Sequence, residues 1–478
     1  MNLNWVMVIL LVIGCALLVT PTTATTGWLE SHDNRISLEI DHSDLGAGLD
    51  QFPVALFITD SSGIGGTDLT LIFDEVGDDY TKVAVTSGNG VTVLYTEVEC
   101  WDAVNEQAVL WVSPDLSASE NTTLYLYFDA TAPNNPRIGW TGTAAAEEVW
   151  DANFVGVWHM ADSPLDADVV LDSTSNGNDG TKNGGMGVAA WGDVGMAQTF
   201  DGTNDYISYG SEISLSTTFS VFAGLRYVDS PHYCTYGFIT GHSSDTTKIG
   251  VHMVNDLAFA RVLNGGATDI TKPLIPDAFL DFSIKRNAAD LVYFSLNGAA
   301  GGILFSGAAQ SGNHKINRIG ADGSGDKLEG AISEVRISNI ARSDEWIAAT
   351  HLSNTDALVT WDGTVGSVET VDAVPLPVWI AVLIGAVGCV LHCWADCDNE
   401  KHLQIVTGAF GMLMLLWLGV TLSGGTIAYY LDDGLHTIQD SILPWFFGMF
   451  AVVIGIMVSG YVAELFVVEI ESEEGVDS

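Results

Sequence analysis

The sequence predicts an all-β protein of two β-sandwich ectodomains followed by a C-terminal bundle of three transmembrane α-helices. Three observations lead there. From residue 34 to 352, short runs rich in Val, Ile, Leu, Thr, Tyr and Phe alternate with clusters of Gly, Asp, Asn and Ser, the pattern of antiparallel strands joined by tight turns. The 478 residues exceed what one ordinary core accommodates. Finally, 374–395, 403–430 and 441–463 contain no Asp, Glu, Lys or Arg, and about 20 apolar helical residues at a rise of about 1.5 Å cross a hydrocarbon layer of about 30 Å.

At the N-terminus, residues 5–20 form a continuous apolar run, and Pro21, Thr22, Thr23 and Ala24 supply small residues for cleavage. Residues 1–24 therefore read as a signal peptide or an N-terminal anchor, and both place the downstream chain outside the membrane. Beyond Cys15, only Cys100 and Cys234 fall in the presumed exterior part, too few for a disulfide-built scaffold. A bond between them requires Cα atoms within about 7 Å.

The first module is expected over 26–135. Its strands include Arg35-Ile36-Ser37-Leu38-Glu39-Ile40, Val54-Ala55-Leu56-Phe57-Ile58 and Thr123-Leu124-Tyr125-Leu126-Tyr127-Phe128, with no helix of useful length. Pro136 and a small-residue stretch mark 136–149 as a linker. A second β-rich module follows over 150–352, with strands such as Phe219-Ser220-Val221-Phe222-Ala223, turns at Asn297-Gly298 and Gly301-Gly302, and one short helix at 341–351. The Thr- and Asp-rich stretch 353–373 reads as an acidic linker unable to bury a core.

The helices are expected at 374–395, 403–430 and 441–466, with Lys401 inside, the loop 431–440 outside and the acidic tail 467–478 inside. Ala381, Gly385, Cys389 and Cys393 repeat every four residues, as do Ala451, Gly455, Ser459 and Ala463. Such stripes let helix backbones approach closely in lipid, within one chain or in a homo-oligomer. Cys389, Cys393 and Cys397 belong to the first stripe and lack the Cys-x-x-Cys spacing of a zinc knuckle.

Sixty Asp and Glu against 16 Lys and Arg give a formal charge of −44, which excludes nucleic acid as a partner. Candidate calcium ligands are Asp172, Asn176 and Asn178 in one loop, with Asp201 and Asp205 from a neighbouring turn, because oxygen-bearing side chains at alternate positions can wrap a hard cation. The same residues also close tight turns through their own backbone. Trp191, Tyr227, His232, Tyr233 and Tyr236 are candidate ligand-binding residues, since pyranose faces stack on exposed aromatic rings. Asn121-Thr122-Thr123 is a glycosylation sequon. A glycan hydrolase would need two carboxylates flanking a cleft, for which Glu97, Glu99 and Asp102 are the only candidate cluster; Glu97 and Glu99 share one strand face, the rest is ordinary strand alternation, and no nucleophile elbow, metalloprotease helix or phosphate loop is present.

Several motifs, in order, resemble the laminin G-like, concanavalin A-like jelly-roll family. They are Trp150-Asp151-Ala152-Asn153-Phe154-Val155-Gly156-Val157-Trp158-His159-Met160, the loop 172–180, the run 200–206, and Gly330-Ala331-Ile332-Ser333-Glu334-Val335-Arg336-Ile337-Ser338 with Ala341-Arg342-Ser343 and Trp346-Ile347. Upstream, Glu97-Val98-Glu99-Cys100-Trp101-Asp102 and Ala108-Val109-Leu110-Trp111-Val112 resemble a β-sandwich family of unknown function that often precedes such modules in bacterial and archaeal surface proteins. The resemblance implies binding of glycans or envelope components, often with calcium, and only occasionally hydrolysis. The expectation is a multi-pass protein of the cell membrane or envelope displaying lectin-like modules for adhesion. Its rivals are a structural envelope or virion-coat protein and, less favoured, a glycan hydrolase.

Overall fold

The computed structural model describes residues 27–367 except 30, 164, 193, 228–234, 244–247, 255–256, 264–270, 274–278, 290, 306–314 and 322–326, and then 428–431 and 434–437. Residue contacts divide the chain into Ser31–Ser367 and a second unit of Met1–Glu30 with Val368–Ser478.

Within Ser31–Ser367 the first sandwich has two sheets. One runs β24 (Val359–Trp361), β1 (Asn34–Ile40), β6 (Thr122–Phe128) and β3 (Val83–Ser87), with β25 (Gly366–Ser367) also paired to β1. The other runs β2 (Val54–Ile58), β5 (Gln107–Val112), β4 (Thr96–Asp102) and β7 (Ile138–Trp140). In β1 the expected alternation holds: Ile36, Leu38 and Ile40 are buried while Glu39 faces solvent. All of β2 is buried because its second face is covered: Phe52 packs edge-on against Trp346 at 4.9 Å, and the Ala55 N–H donates to Ser353 Oγ.

The second sandwich is larger. Its outer sheet runs β18 (Thr271–Pro273), β17 (Leu257–Leu263), β16 (Lys248–Val254), β15 (Thr235–Gly241), β22 (Lys315–Ile319), β13 (Tyr206–Ser214), β10 (Gly180–Asn183) and β9 (Val169–Val170). The facing sheet runs β11 (Ala190–Trp191), β12 (Met196–Asp201), β23 (Glu329–Ser338), β14 (Phe219–Tyr227), β19 (Leu280–Arg286), β20 (Val292–Leu296) and β21 (Ala299–Phe305), with β8 (Phe154–Trp158) paired to β23. Trp158, Phe200, Phe219, Phe282 and Phe294 fill the space between them.

Three expectations require correction. The stretch 136–149 is no linker: β7 lies parallel to β4, and Ala146 and Val149 are buried. Nor is 353–367 a linker. After the helix Asp344–Asn354, displaced three residues from the expected 341–351, Leu358, Val359 and Trp361 enter the first core and β24 pairs with β1. Three apolar residues suffice there because β1 offers a ready ladder. The second sandwich is thus an insertion within the first, and the chain returns to complete what it began. Lastly, 428–430, assigned to the second membrane helix, lie in β26 (Ala428–Leu431), paired with β27 (Gly434–Thr437) inside the expected loop 431–440. Tyr429 and Tyr430 favour extended backbone, and the Asp432-Asp433-Gly434 sequence favours a turn. The rest of the expected spans lies outside the described residues, as do Cys234, the signal region and the tail. Among the described residues no helix is long and apolar enough to cross a membrane. The Cys100 thiol is free and buried.

Candidate functional site

The junction of the two sandwiches holds a buried cluster of ionisable groups. On β4, Glu97 faces Trp111 of β5 in register, and a bulge between Val98 and Cys100 sets Glu99 beside it. Pairing of β8 with β23 aligns Trp158 with Val335, which brings His159, just past β8, to Glu334 and Arg336. Val335 and Ile337 face the second core while Glu334 and Arg336 face the first sandwich, so one strand serves two interiors.

His159 Nδ1 lies 2.7 Å from Glu334 Oε2 and 3.6 Å from Glu99 Oε2, and its Nε2 lies 3.3 Å from Glu97 Oε2. Every carboxylate has further donors. Trp150 Nε1, Thr141 Oγ1 and Ser173 Oγ donate to Glu97 at 2.6, 2.7 and 2.6 Å. Trp111 Nε1 and the Met196 N–H each donate to Glu99 at 2.8 Å, and Arg336 Nε donates to Glu334 at 2.8 Å. The imidazole stacks on Trp111 at 5.2 Å and 19°, and the Arg336 guanidinium sits 4.3 Å over the same indole. Gly195, at φ +54°, passes so close that a Cβ would meet Glu99 Oε1 at 1.8 Å.

Burial dominates the electrostatics. It raises Glu99 to about 7, with His159 opposing and Glu334 reinforcing. Burial would lower His159, but Glu334, Glu97 and Glu99 together hold it well above its ordinary value. For Glu334, His159 and Arg336 outweigh burial and keep the carboxyl low. Such groups are held because each is paired and hydrogen-bonded. Among the described residues, Glu99, His159 and Glu334 are the one set of three or more Asp, Glu, His or Cys side chains whose ligand atoms lie within 4.8 Å of one another.

The expected calcium ligands serve turns. Asp172 is buried and accepts the N–H groups of Val157, Thr174 and Asn178 as well as the Thr174 hydroxyl. Asn176 and Asn178 donate to the Phe154 and Val155 carbonyls, binding the loop to β8. Asp201 accepts the N–H groups of Thr203, Asn204 and Asp205, while Asp205 accepts that of Asp201. The Asp oxygens accept backbone N–H groups and the two Asn amides donate to backbone carbonyls, so in this arrangement the five residues close turns.

Of the aromatic candidates, Trp191 stands in β11, 41% exposed. Tyr227 and Tyr236 lie in β14 and β15 with side chains outside the described set, as are His232 and Tyr233 entirely. Asn121 is exposed beside β6; its amide donates to Glu39 Oε1 and accepts the His42 N–H. Asp102 caps the turn to Asn105.

No family model matches the chain, and no curated protein does. Among solved structures it is similar to domain 4 of AbnA, a GH43 extracellular arabinanase from Geobacillus stearothermophilus in complex with arabinotriose, at 17% identity over 42% of this chain and 98% of that one, TM-score 0.32. It is also similar to the binding domain of Paraclostridial Mosquitocidal Protein 1, at 14% identity, 42% and 52% coverage and TM-score 0.33. Trypanosoma rangeli sialidase gives 11% identity, 55% and 46% coverage and TM-score 0.33. The chain spans about half the length of these last two. At these scores the likenesses carry no weight for function.

Proposed function

We propose that this chain is a membrane-anchored surface protein whose second, laminin G-like sandwich binds a glycan or another envelope component. The observation that supports this best is the setting of Trp191. Its indole is 41% exposed on a hairpin whose turn is fastened at three points: the Gly192 N–H donates to the Gly195 carbonyl at 2.7 Å, Val194 is fully buried, and the Met196 N–H is held by Glu99. A ring presented rigidly offers a stacking face to a pyranose at little entropic cost. Beside it, Asp162 accepts from Lys182, the Ala189 N–H and Gln198, tying the loop of exposed Leu165 to the loop of exposed Val188.

Anchoring rests on the three uncharged apolar stretches of the sequence. Hydrolysis is the weaker reading, because Glu97 and Glu99 lie buried in the junction and Asp102 closes a turn. The test is glycan-array binding by the detergent-solubilised full chain. Trp191→Ala is expected to bind about tenfold more weakly or worse, while Val104→Ala, an exposed apolar control on the first sandwich, binds as wild type. Binding abolished by chelator would restore calcium to the site. Absence of binding by wild type would favour the structural envelope reading, with regular arrays on native membranes as its signature.

A further inference from the structure

We infer that the outer sheet of the second sandwich is a docking face for the acidic first sandwich of a second copy of this chain, so that copies associate head to tail. The inference goes beyond glycan binding, uses none of the residues around Trp191, and holds whether or not a glycan binds there.

Charge placement is the first support. The eight strands of the outer sheet carry six Lys or Arg (Lys182, Lys248, Arg261, Lys272, Lys315 and Arg318) against one acid, Glu212. The strands of the facing sheet hold four of each sign, and residues 31–149 of the first sandwich hold 20 Asp or Glu against Arg35, Lys82 and Arg137. In a chain of formal charge −44, the outer sheet is therefore an island of opposite sign. Asp229, Asp245, Asp256, Asp269 and Asp277 fall between its strands in the sequence, not within them. Register gathers the cations. Thr181, Ser208, Arg318, Gly241 and Lys248 form one row across β10, β13, β22, β15 and β16, and Gly241 puts no side chain between Arg318 and Lys248. Arg261 pairs with Gly250, two residues along from Lys248. The Arg318 guanidinium lies 4.5 Å from the centre of the Tyr206 ring and Lys327 Nζ lies 5.5 Å from it. Two of the six are neutralised within the chain: Lys182 by Asp162, and Lys315 by Glu212 at 2.6 Å.

Position is the second support. Ile207 and Ile319 enter the second core, so their neighbours Ser208 and Arg318 face away from it. The first sandwich packs on the far side of the facing sheet, where Arg336 lies over Trp111 and His159 meets Glu99. The basic face and the acidic sandwich thus lie on opposite sides of one sheet and do not neutralise each other within a chain. Two copies placed head to tail bring them together. Eight strands at their usual spacing make a face about 35 Å by 20 Å, about 700 Å², close to the roughly 800 Å² each partner gives to a standard interface. At about 0.15 M salt, charges more than about 8 Å apart are screened, so repulsion between the net charges of two copies fades while attraction across the contact persists. Because the two copies use different surfaces, the contact leads to rows or rings of copies rather than to a closed symmetric pair.

The experiment mixes full chains grown on the light and heavy isotopes of nitrogen, in detergent at about 0.15 M salt. A carbodiimide joins lysines to carboxylates in direct contact, and mass spectrometry reads the joined peptides. Mixed-isotope pairs linking Lys248, Lys315 or Lys327 to acids within 31–149 are expected. Sedimentation velocity should find assemblies that dissociate at about 1 M salt, where screening reaches about 3 Å. Lys248→Glu with Arg318→Glu is expected to weaken association about tenfold or more, and Lys248→Gln with Arg318→Gln to weaken it less. Arg226→Glu, at an exposed position on the facing sheet, should associate as wild type. Wild-type chains that give only same-isotope pairs at these lysines overturn the proposal whether or not any variant folds. So does association that survives both about 1 M salt and the folded double variants, which is the behaviour of contacts through the apolar C-terminal stripes. A wild type that stays single yet binds polygalacturonate, and loses it in Arg318→Gln, also overturns the proposal and gives the face to an acidic glycan.

Discussion

Asp356 sits at φ +54° and accepts the Gly63 N–H at 2.7 Å. Burial raises its carboxyl from the ordinary 3.8 to about 6, the Gly63 bond opposing. Because the folded chain holds this proton more tightly than the unfolded one, the stabilisation is complete below about 4 and is lost as pH rises through about 6. Asn at this position accepts the same N–H, tolerates the left-handed backbone and does not ionise. Asp356→Asn is therefore expected to match wild type at pH 4 and to exceed it at pH 8 by about 1–2 kcal/mol, after allowance for solvent screening. Urea melts at the two pH values decide it, since an equal gain at both would point to packing. At Arg342 the guanidinium forks onto both oxygens of Asp151 at 2.7 Å and lies over Phe154 and Trp346 at 4.5 and 4.1 Å. Burial pushes Asp151 up, but the Arg342 bonds and charge outweigh it and hold the carboxyl low. Arg342→Lys keeps the charge and loses the fork and the stacking, so a loss of about 2–3 kcal/mol in urea unfolding is expected.

Among the elements, β24 carries the most consequence for its length. The 59–67 loop wraps it: the Ile64 N–H donates to the Val359 carbonyl, and Gly63 at φ +69° comes so close that a Cβ would lie 2.5 Å from that oxygen and 2.7 Å from Trp361 Cδ1. Trp361→Ala is expected to cost about 3–5 kcal/mol, and Gly63→Ala should also destabilise through both backbone strain and collision. Differential scanning calorimetry measures each; a shift within error for Trp361→Ala would mean that β24 is dispensable. Little of this is legible in the sequence. Strands such as β1 declare themselves because Ile36, Leu38 and Ile40 alternate with polar neighbours. Val359 and Trp361 form no run, and their burial depends on a partner more than three hundred residues earlier. The junction site is half legible. Glu97 and Glu99 stand out in an apolar strand, and Glu334 with Arg336 puts a charged pair at alternate positions opposite apolar Val335 and Ile337. Nothing in local spacing joins residues 99, 159 and 334; the long-range pairing of β8 with β23 brings 159 to 334, and the packing of β4 against them adds 99. In the loop of the expected calcium ligands, local hydrogen bonding and cation binding require the same residue types, so composition does not separate them.

Within residues 31–367, the insertion and the buried junction make the sandwiches interdependent. A fragment limited to 26–135 lacks β7 and β24 and leaves Glu97 and Glu99 without Trp150, His159 and Ser173. It is expected to remain unfolded by circular dichroism. The full chain should lose both β-sandwiches in one calorimetric transition, as a single cooperative unit does. Two resolved transitions, with the second sandwich surviving the first, would show that the junction is a contact between independent domains.

The antiparallel pairing of β25 with β1 sets Ser367 opposite Asn34. Neighbouring strands lie about 5 Å apart, so the chain enters and leaves this region of more than three hundred residues at nearly one point. A segment built so is a cassette. It can be spliced into a surface loop of a host protein without prying the host apart, or closed into a ring by a short peptide and reopened at the exposed turn around Val104 to yield a circular permutant with the same contacts.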